Sequence, residues 1–246
     1  MGWKHWDIQG GVINDDSVTL INRGRVEHVY GIQNMPHTAS ELQSDYDGLA
    51  TTWDLRHSMD EEEKHATVSI IRATFGDKLW RTLDIGCGTG LPLDLELAEP
   101  VRYVGIDPST AMLNALVMRY PNLAGIHPMT YVEAERRRVL CGTRYDTVLA
   151  LGGSASYLAP DEIEQLRSRA KRDVLLMHYT PEASQTAPGL DRRQAEDSLQ
   201  ATTAASTSQT RIGRYIASIL PGKQEHTEAV QAGAARAVAG GTAWND

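Results

Sequence analysis

The sequence predicts an α/β protein built on a doubly wound, mostly parallel sheet. Short segments rich in Leu, Ile and Val have the composition of strands buried on both faces, and they occupy residues 81–85, 102–106, 145–151 and 173–178. Amphipathic segments that predict helices alternate with these strands, at residues 91–98, 109–119 and 160–170. Such alternation implies right-handed crossovers, which place parallel strands side by side with helices on both faces.

Two more helices and a hairpin are predicted before the first of these strands. Residues 41–57 carry apolar side chains at spacings of three and four, as an amphipathic helix does. Ser58 and Glu61 have the spacing of a capping box, so a second helix is expected to begin at Ser58. Residues 17–21 and 26–30 flank a turn-forming segment and predict a β-hairpin.

The C-terminal quarter is patterned differently. Residues 198–210 contain seven Ser or Thr in thirteen positions, which favours a loop or a mobile lid, and residues 211–220 predict one further strand. Three units are therefore expected: an N-terminal extension over 1–45, a main domain over 46–221, and an Ala- and Gly-rich tail over 222–246.

Composition narrows the class of protein. The chain has 246 residues and a formal net charge of −8, which argues against a nucleic-acid partner because phosphate binding depends on clustered Lys and Arg. No apolar run approaches a membrane span and the N-terminus has no signal-peptide pattern, so no membrane partner is expected. Two cysteines, Cys87 and Cys141, suit a reducing compartment, and we expect a cytoplasmic protein.

One segment carries chemistry: Asp84-Ile85-Gly86-Cys87-Gly88-Thr89-Gly90, between a predicted strand and a predicted helix. Glycines allow a sharp turn and a close approach of the backbone to a ligand. Asp107 ends the next predicted strand, where a carboxylate can accept both hydroxyl groups of a ribose. The glycine spacing G-x-G-x-G differs from the dinucleotide spacing G-x-G-x-x-G, and Asp84 would be unfavourable beside a pyrophosphate. A ligand with a cationic amine and a sulfonium centre fits better.

With this motif the sequence resembles the class I S-adenosylmethionine-dependent methyltransferases, over roughly residues 46–180. The resemblance implies a Rossmann-like, seven-stranded sheet with an N-terminal cap, S-adenosyl-L-methionine as the cofactor, and methyl transfer to O or N of a small-molecule acceptor. The cofactor-binding residues that it and the motif imply are Tyr46, Trp53, Asp84, Gly86, Cys87, Gly88, Gly90, Asp107, Pro108, Met112, Thr130, Leu151 and Gly152.

The sequence departs from the family in the segment that corresponds to the end of the family's third strand. The family often places an acidic residue there to bind the adenine amine, whereas this chain has His127-Pro128-Met129-Thr130-Tyr131 and no carboxylate before Glu133. Adenine recognition is therefore assigned to backbone groups or Thr130.

Catalytic candidates lie at the end of the strand predicted over 173–178. His178 and Tyr179 end that strand, and His178 is a reasonable general base for an alcohol, phenol or amine. The alternative is that His178 only bonds its neighbours and that transfer depends on alignment. No residue cluster has metal-ligand spacing, so no metal is expected.

Two other functions stay open. One is an NAD(P)-dependent Rossmann oxidoreductase, which the glycine spacing and Asp84 disfavour. The other is a non-catalytic S-adenosylmethionine-binding protein, which the missing adenine carboxylate and the weak pattern of the C-terminal quarter favour.

Overall fold

The computed structural model describes residues 18–22, 25–30, 44, 46–50, 52–53 and 59–223. The strands are β1 Val18–Asn22, β2 Arg25–Tyr30, β3 Thr82–Ile85, β4 Tyr103–Ile106, β5 Gly125–His127, β6 Thr147–Ala150, β7 Asp173–Tyr179, β8 Ser208–Ile212 and β9 Tyr215–Pro221. The helices are α1 Glu61–Phe75, α2 Leu91–Asp94, α3 Thr110–Arg119, α4 Tyr131–Arg136, α5 Pro160–Arg169, α6 Pro181–Ser184 and α7 Arg192–Ala205. Short 3₁₀ turns lie at Pro100–Arg102 and Ala155–Tyr157.

A seven-stranded sheet forms the centre of the described fold, in the order β5-β4-β3-β6-β7-β9-β8. Strands β5 to β7 are parallel, and β9 runs antiparallel to both β7 and β8. The doubly wound, mostly parallel, seven-stranded sheet predicted from the sequence is thereby confirmed. Because the strand order reverses between β3 and β6, the loops after β3, β4, β5 and β6 gather at one edge, which is where open α/β sheets bind ligands.

Helices cover both faces of this sheet. On one face Ile71 of α1 and Leu113 and Leu116 of α3 pack in one buried cluster. On the other face Tyr131 of α4 and Ile163 of α5 belong to a second cluster. Neighbouring residues of each strand point to opposite faces, so both faces of the central strands are apolar.

The helix before β3 begins two residues later than predicted. Asp60, not Ser58, is its N-cap: the Asp60 carboxylate accepts from the backbone N–H of Glu63 at 2.8 Å, and the Glu63 carboxylate accepts from that of Asp60 at 3.2 Å. Asp60 and Glu63 have the same spacing as Ser58 and Glu61. The Glu63 carboxylate is also buried and accepts from the backbone N–H of Arg214, which favours this register.

The loop or lid predicted over 198–210 is wrong. Most of it is the C-terminal half of helix α7, which Asp191 caps by accepting from the backbone N–H of Gln194 at 2.9 Å. Ser198 and Thr202 lie on the buried face of α7, where small side chains allow close packing and their hydroxyl groups find buried partners. Composition alone predicted a loop because it does not show that these hydroxyl groups form hydrogen bonds with distant parts of the chain.

The single strand predicted over 211–220 is also wrong, because the chain forms a hairpin of β8 and β9. Gly213 lies between them with φ +51°, in the left-handed region that a tight turn requires. The hairpin places β9 beside β7 and completes the sheet.

At the N-terminus, β1 and β2 pair antiparallel, at the place where the sequence predicts a hairpin. Of the helix predicted over 41–57, residues 44, 46–49 and 53 are helical, and its other residues except 50 and 52 lie outside the described ones. The tail after residue 223 lies outside them too, and the division into three units stays a prediction. None of the helices in the described part of the chain is long and apolar enough to cross a membrane.

Candidate functional site

A cavity of about 360 Å³ opens at the edge of the sheet where β3 to β6 end. Residues from all four following loops line it. Of the predicted cofactor-binding residues, the cavity wall includes Tyr46, Trp53, Asp84, Gly86, Cys87, Gly88, Asp107, Pro108, Met112, Thr130, Leu151 and Gly152. The fold thus brings together side chains that are more than a hundred residues apart in the sequence.

Three glycines shape the loop after β3, and each has a different role. All three have positive φ: +64° at Gly86, +50° at Gly88 and +95° at Gly90. A Cβ on Gly86 would lie 2.5 Å from Cβ of Ser154, so this glycine lets two loops touch. A Cβ on Gly88 would meet nothing within 4 Å, which leaves the backbone open towards the cavity.

Gly90 has a packing role instead. It is the N-cap of α2, and a Cβ there would lie 2.5 Å from Cδ1 of Leu116. Gly90 is not among the described residues that line the cavity. The absence of a side chain at Gly90 allows α2 and α3 to pack, and its place in the cofactor-binding set stays a prediction.

Asp84 is a buried carboxylate with one uncommitted oxygen. Its Oδ2 accepts from the hydroxyl group of Tyr103 at 2.6 Å, whereas Oδ1 has no hydrogen-bond donor among the described residues. Burial raises the pKa of Asp84 to about 7; the bond from Tyr103 lowers the pKa and the charge of Asp107 raises it further. An acceptor of this kind at a cavity wall favours a cationic or N–H donor from a ligand.

Asp107 is held rigidly by the backbone on both sides. Its Oδ2 accepts from the backbone N–H of Gly88 at 2.8 Å and its Oδ1 from that of Ser109 at 2.8 Å. Burial raises the pKa of Asp107 to about 6, and the two backbone bonds lower it. Each carboxylate oxygen can accept a second hydrogen bond, so the pair suits two adjacent hydroxyl groups.

The wall beyond Asp107 is largely apolar. Met112 and Met129 are buried there, next to Thr130. The hydroxyl group of Thr130 accepts from the backbone N–H of Glu133 at 3.4 Å as the N-cap of α4. These surfaces can hold a flat apolar group.

Aromatic side chains form the opposite wall. The rings of Tyr46 and Trp53 are 5.3 Å apart, and those of Tyr46 and Tyr157 are 6.2 Å apart. The Tyr157 hydroxyl group donates to the carbonyl oxygen of Pro188 at 2.7 Å, so it accepts from the Tyr46 hydroxyl group at 3.0 Å. Burial is the main reason why the pKa of Tyr46 lies far above its usual range, and this phenol stays protonated.

His178 is not among the described residues that line the cavity, and its role as a general base stays a prediction. Its fully buried ring lies on the face covered by α7, and Nε2 lies 3.0 Å from Oγ of Ser198. Because Ser198 donates to the carbonyl oxygen of Ala155 at 2.8 Å, Nε2–H donates to Ser198. Burial lowers the pKa of His178 to about 4, so the ring is neutral. It holds the 3₁₀ turn that carries Tyr157.

Tyr179 points to the other face of β7 but is likewise not among the described lining residues. Its ring packs against Gly153, where a Cβ would lie 2.3 Å from Cζ of Tyr179, and lies 5.6 Å from the ring of Tyr215. Tyr179 therefore packs behind the aromatic wall, and its catalytic role stays a prediction.

Sequence reasoning missed several wall residues, among them Lys64, Tyr157, Glu162 and Tyr215. For Glu162 the sequence contains a local signal of a helix N-terminus: Pro160 is the first residue of α5, and Glu is typical of the third. The other three depend on tertiary packing. In the described part of the chain, no group of three or more His, Cys, Asp or Glu side chains is arranged to hold a metal ion.

Comparisons with known proteins find a matching family model and similar folds. A family model for the methyltransferase domain matches residues 82–174, which span β3 to the start of β7. The matched residues include the parallel strands and loops that border the cavity. A search of curated proteins finds no significant match.

Two solved structures share the fold of this chain. The N-methyltransferase NodS from Bradyrhizobium japonicum WM9, in complex with S-adenosyl-L-homocysteine, has a TM-score of 0.54 at 13% identity over 77% of this chain and 100% of its own. The DhpI–S-adenosylhomocysteine complex has a TM-score of 0.53 at 18% identity over 77% of this chain and 100% of its own.

Proposed function

We propose that this methyltransferase binds S-adenosyl-L-methionine in the cavity described above and methylates an O or N atom of a small-molecule acceptor. The observation that carries the proposal is the pair of buried carboxylates Asp84 and Asp107 on either side of the open backbone at Gly88. The two similar structures, NodS and DhpI, are complexes with S-adenosylhomocysteine, which supports the same ligand here.

Each part of the ligand contacts residues whose chemistry suits it. Oδ1 of Asp84 accepts from the ammonium group of the amino-acid part, because it is the uncommitted buried acceptor. Asp107 accepts from the two ribose hydroxyl groups, and Gly86 and Gly88 let the backbone approach closely. Pro108, Met112 and Thr130 contact the adenine.

The protein contributes to transfer chiefly by alignment and by exclusion of water. S-adenosylmethionine supplies a methyl carbon that its sulfonium sulfur already activates. The rings of Tyr46, Trp53 and Tyr157, with Leu151 and Gly152, enclose the acceptor end of the cavity, and aromatic faces favour a nearby cation. Holding two reactants in line can supply much of the acceleration without a strong general base.

The acceptor site faces these aromatic residues, which favour an acceptor with an apolar or planar part. The acceptor is a small molecule, because the cavity has the size of a ligand pocket. A cytoplasmic location, a main domain over 46–221 and the flanking extension and tail belong to this proposal as well.

Two measurements test the proposal. Thermal melts with S-adenosylhomocysteine and with NADPH should show a rise in Tm for the first ligand only; a rise with NADPH alone would favour the oxidoreductase alternative. Release of S-adenosylhomocysteine from S-adenosylmethionine across a library of small phenols, amines and carboxylic acids should then identify acceptors. Binding without turnover on any acceptor would favour the non-catalytic alternative.

A further inference from the structure

Glu162 is a cavity-lining carboxylate that the proposed cofactor contacts above do not use. It lies in the first turn of α5 and is 9% exposed. Its Oε2 accepts from the backbone N–H of Ala159 at 2.6 Å, and the backbone N–H of Val132, in α4, also interacts with it. Glu162 therefore lies where the first turns of α4 and α5 meet.

This position is at the purine end of the proposed ligand. Asp84 lies in β3, Asp107 follows β4 and Thr130 follows β5, and these strands are successive neighbours in the sheet. A ligand with its ammonium group on Asp84 and its ribose on Asp107 extends its base towards the loop after β5. Val132, which contacts Glu162, is two residues after Thr130.

Other polar side chains near this end are already engaged. Glu133 binds Arg136 at 2.6 Å and also binds Arg137, and it is not among the described residues that line the cavity. The hydroxyl group of Thr130 caps α4. Glu162 has no salt bridge within the described residues, and burial raises its pKa, as expected for a carboxylate whose charge is only partly compensated. Its two oxygens have lone pairs for further N–H donors.

We propose that Glu162 accepts a hydrogen bond from the exocyclic amine of adenine and so selects a 6-aminopurine cofactor over a 6-oxopurine. The inference rests on the proposed function. A 6-oxo group would place an acceptor against the carboxylate, and charge-assisted hydrogen bonds of this kind support discrimination of about 10- to 100-fold. The carboxylate that the sequence lacks after β5 is thus supplied from α5.

Calorimetric titration with S-adenosylhomocysteine and S-inosylhomocysteine, its 6-oxo analogue, tests the inference without turnover. The wild-type protein should bind the 6-amino ligand at least about tenfold more tightly. Glu162→Gln keeps an oxygen for the N–H of Ala159 and adds an NH₂ group that can donate to the 6-oxo oxygen, so most of the preference should disappear. Asp161→Asn is the matched control, since Asp161 is exposed in the same turn, and it should keep the wild-type preference.

The outcomes separate this inference from the proposed function. A wild-type protein that binds both ligands equally would overturn the role of Glu162 alone, even if Glu162→Gln did not fold. A folded Glu162→Gln protein with an unchanged preference would do the same. Failure of the wild type to bind S-adenosylhomocysteine would overturn both.

Discussion

Substitutions at two glycines of the loop after β3 should separate an effect on ligand binding from an effect on protein stability. In Gly88→Ala the added methyl group projects into open space at the cavity wall, and its only cost to folding is the left-handed backbone at φ +50°. That cost is about 1–2 kcal/mol for an L-residue. In Gly90→Ala the methyl group would lie 2.5 Å from Cδ1 of Leu116, at φ +95°, so overpacking adds about 1–3 kcal/mol to a similar backbone cost.

Gly88→Ala should therefore affect ligand affinity more than stability, and Gly90→Ala should affect stability more than ligand affinity. Gly88→Ala should lower Tm by only a few degrees, since about 1 kcal/mol corresponds to about 2–4 °C in a chain of this size. It should weaken S-adenosylhomocysteine binding by about 10- to 100-fold, because the methyl group takes the space of the closest backbone approach. Gly90→Ala should lower Tm further and leave the affinity of the folded protein unchanged.

The assay combines differential scanning calorimetry with isothermal titration of each folded variant. Far-ultraviolet circular dichroism should match the wild type for Gly88→Ala. If Gly88→Ala binds S-adenosylhomocysteine as tightly as the wild type, the loop after β3 is only a turn and the ligand lies elsewhere. If Gly90→Ala loses binding while its Tm stays high, the assignment of Gly90 to packing is wrong.

Further predictions concern the charged and titratable groups. Asp84→Asn keeps an acceptor for Tyr103 but loses the charge, so affinity for S-adenosylhomocysteine should fall by about 1.5–3 kcal/mol while Tm does not fall; unchanged affinity by titration would remove Asp84 from the site. Asp107→Ala should lose a similar amount of binding and also lower Tm, because two buried backbone N–H groups lose their acceptor; calorimetry measures both. The ligand's ammonium group requires an ionised Asp84, and its ribose hydroxyl groups donate more strongly to an ionised Asp107. Affinity should therefore fall as pH drops through about 7 and about 6, the pKa values of Asp84 and Asp107; a flat profile between pH 8 and 5.5 would contradict this. His178→Ala should lower stability by about 2–4 kcal/mol yet leave kcat of the folded protein near normal; a loss of kcat at unchanged stability would restore the general-base hypothesis.

Much of the fold and of the cofactor end of the site could be predicted from the sequence because the signals there are local. A buried strand, a glycine turn with positive φ and a helix N-terminus each depend on a few consecutive residues. The segment from Asp84 to Gly88 and the end of β4 at Asp107 are of this kind, and parallel strand order then brings them to one edge. The fold class and the likeness to methyltransferases followed from these elements.

Tertiary structure decided the environment of each buried side chain, because that environment depends on which segment covers each face of a strand or helix. His178 and Tyr179 are neighbours at the end of β7, yet the two sides of a strand separate them: His178 lies under α7, and Tyr179 faces the aromatic side. Nothing local distinguishes them, because both faces of this strand are buried. The Ser- and Thr-rich segment of α7 was mistaken for a loop for a related reason, since the buried hydroxyl groups of Ser198 and Thr202 have partners contributed by other parts of the chain. A sequence determines where the backbone turns and which segments are apolar, whereas the partner of a buried polar group is chosen by packing between distant segments.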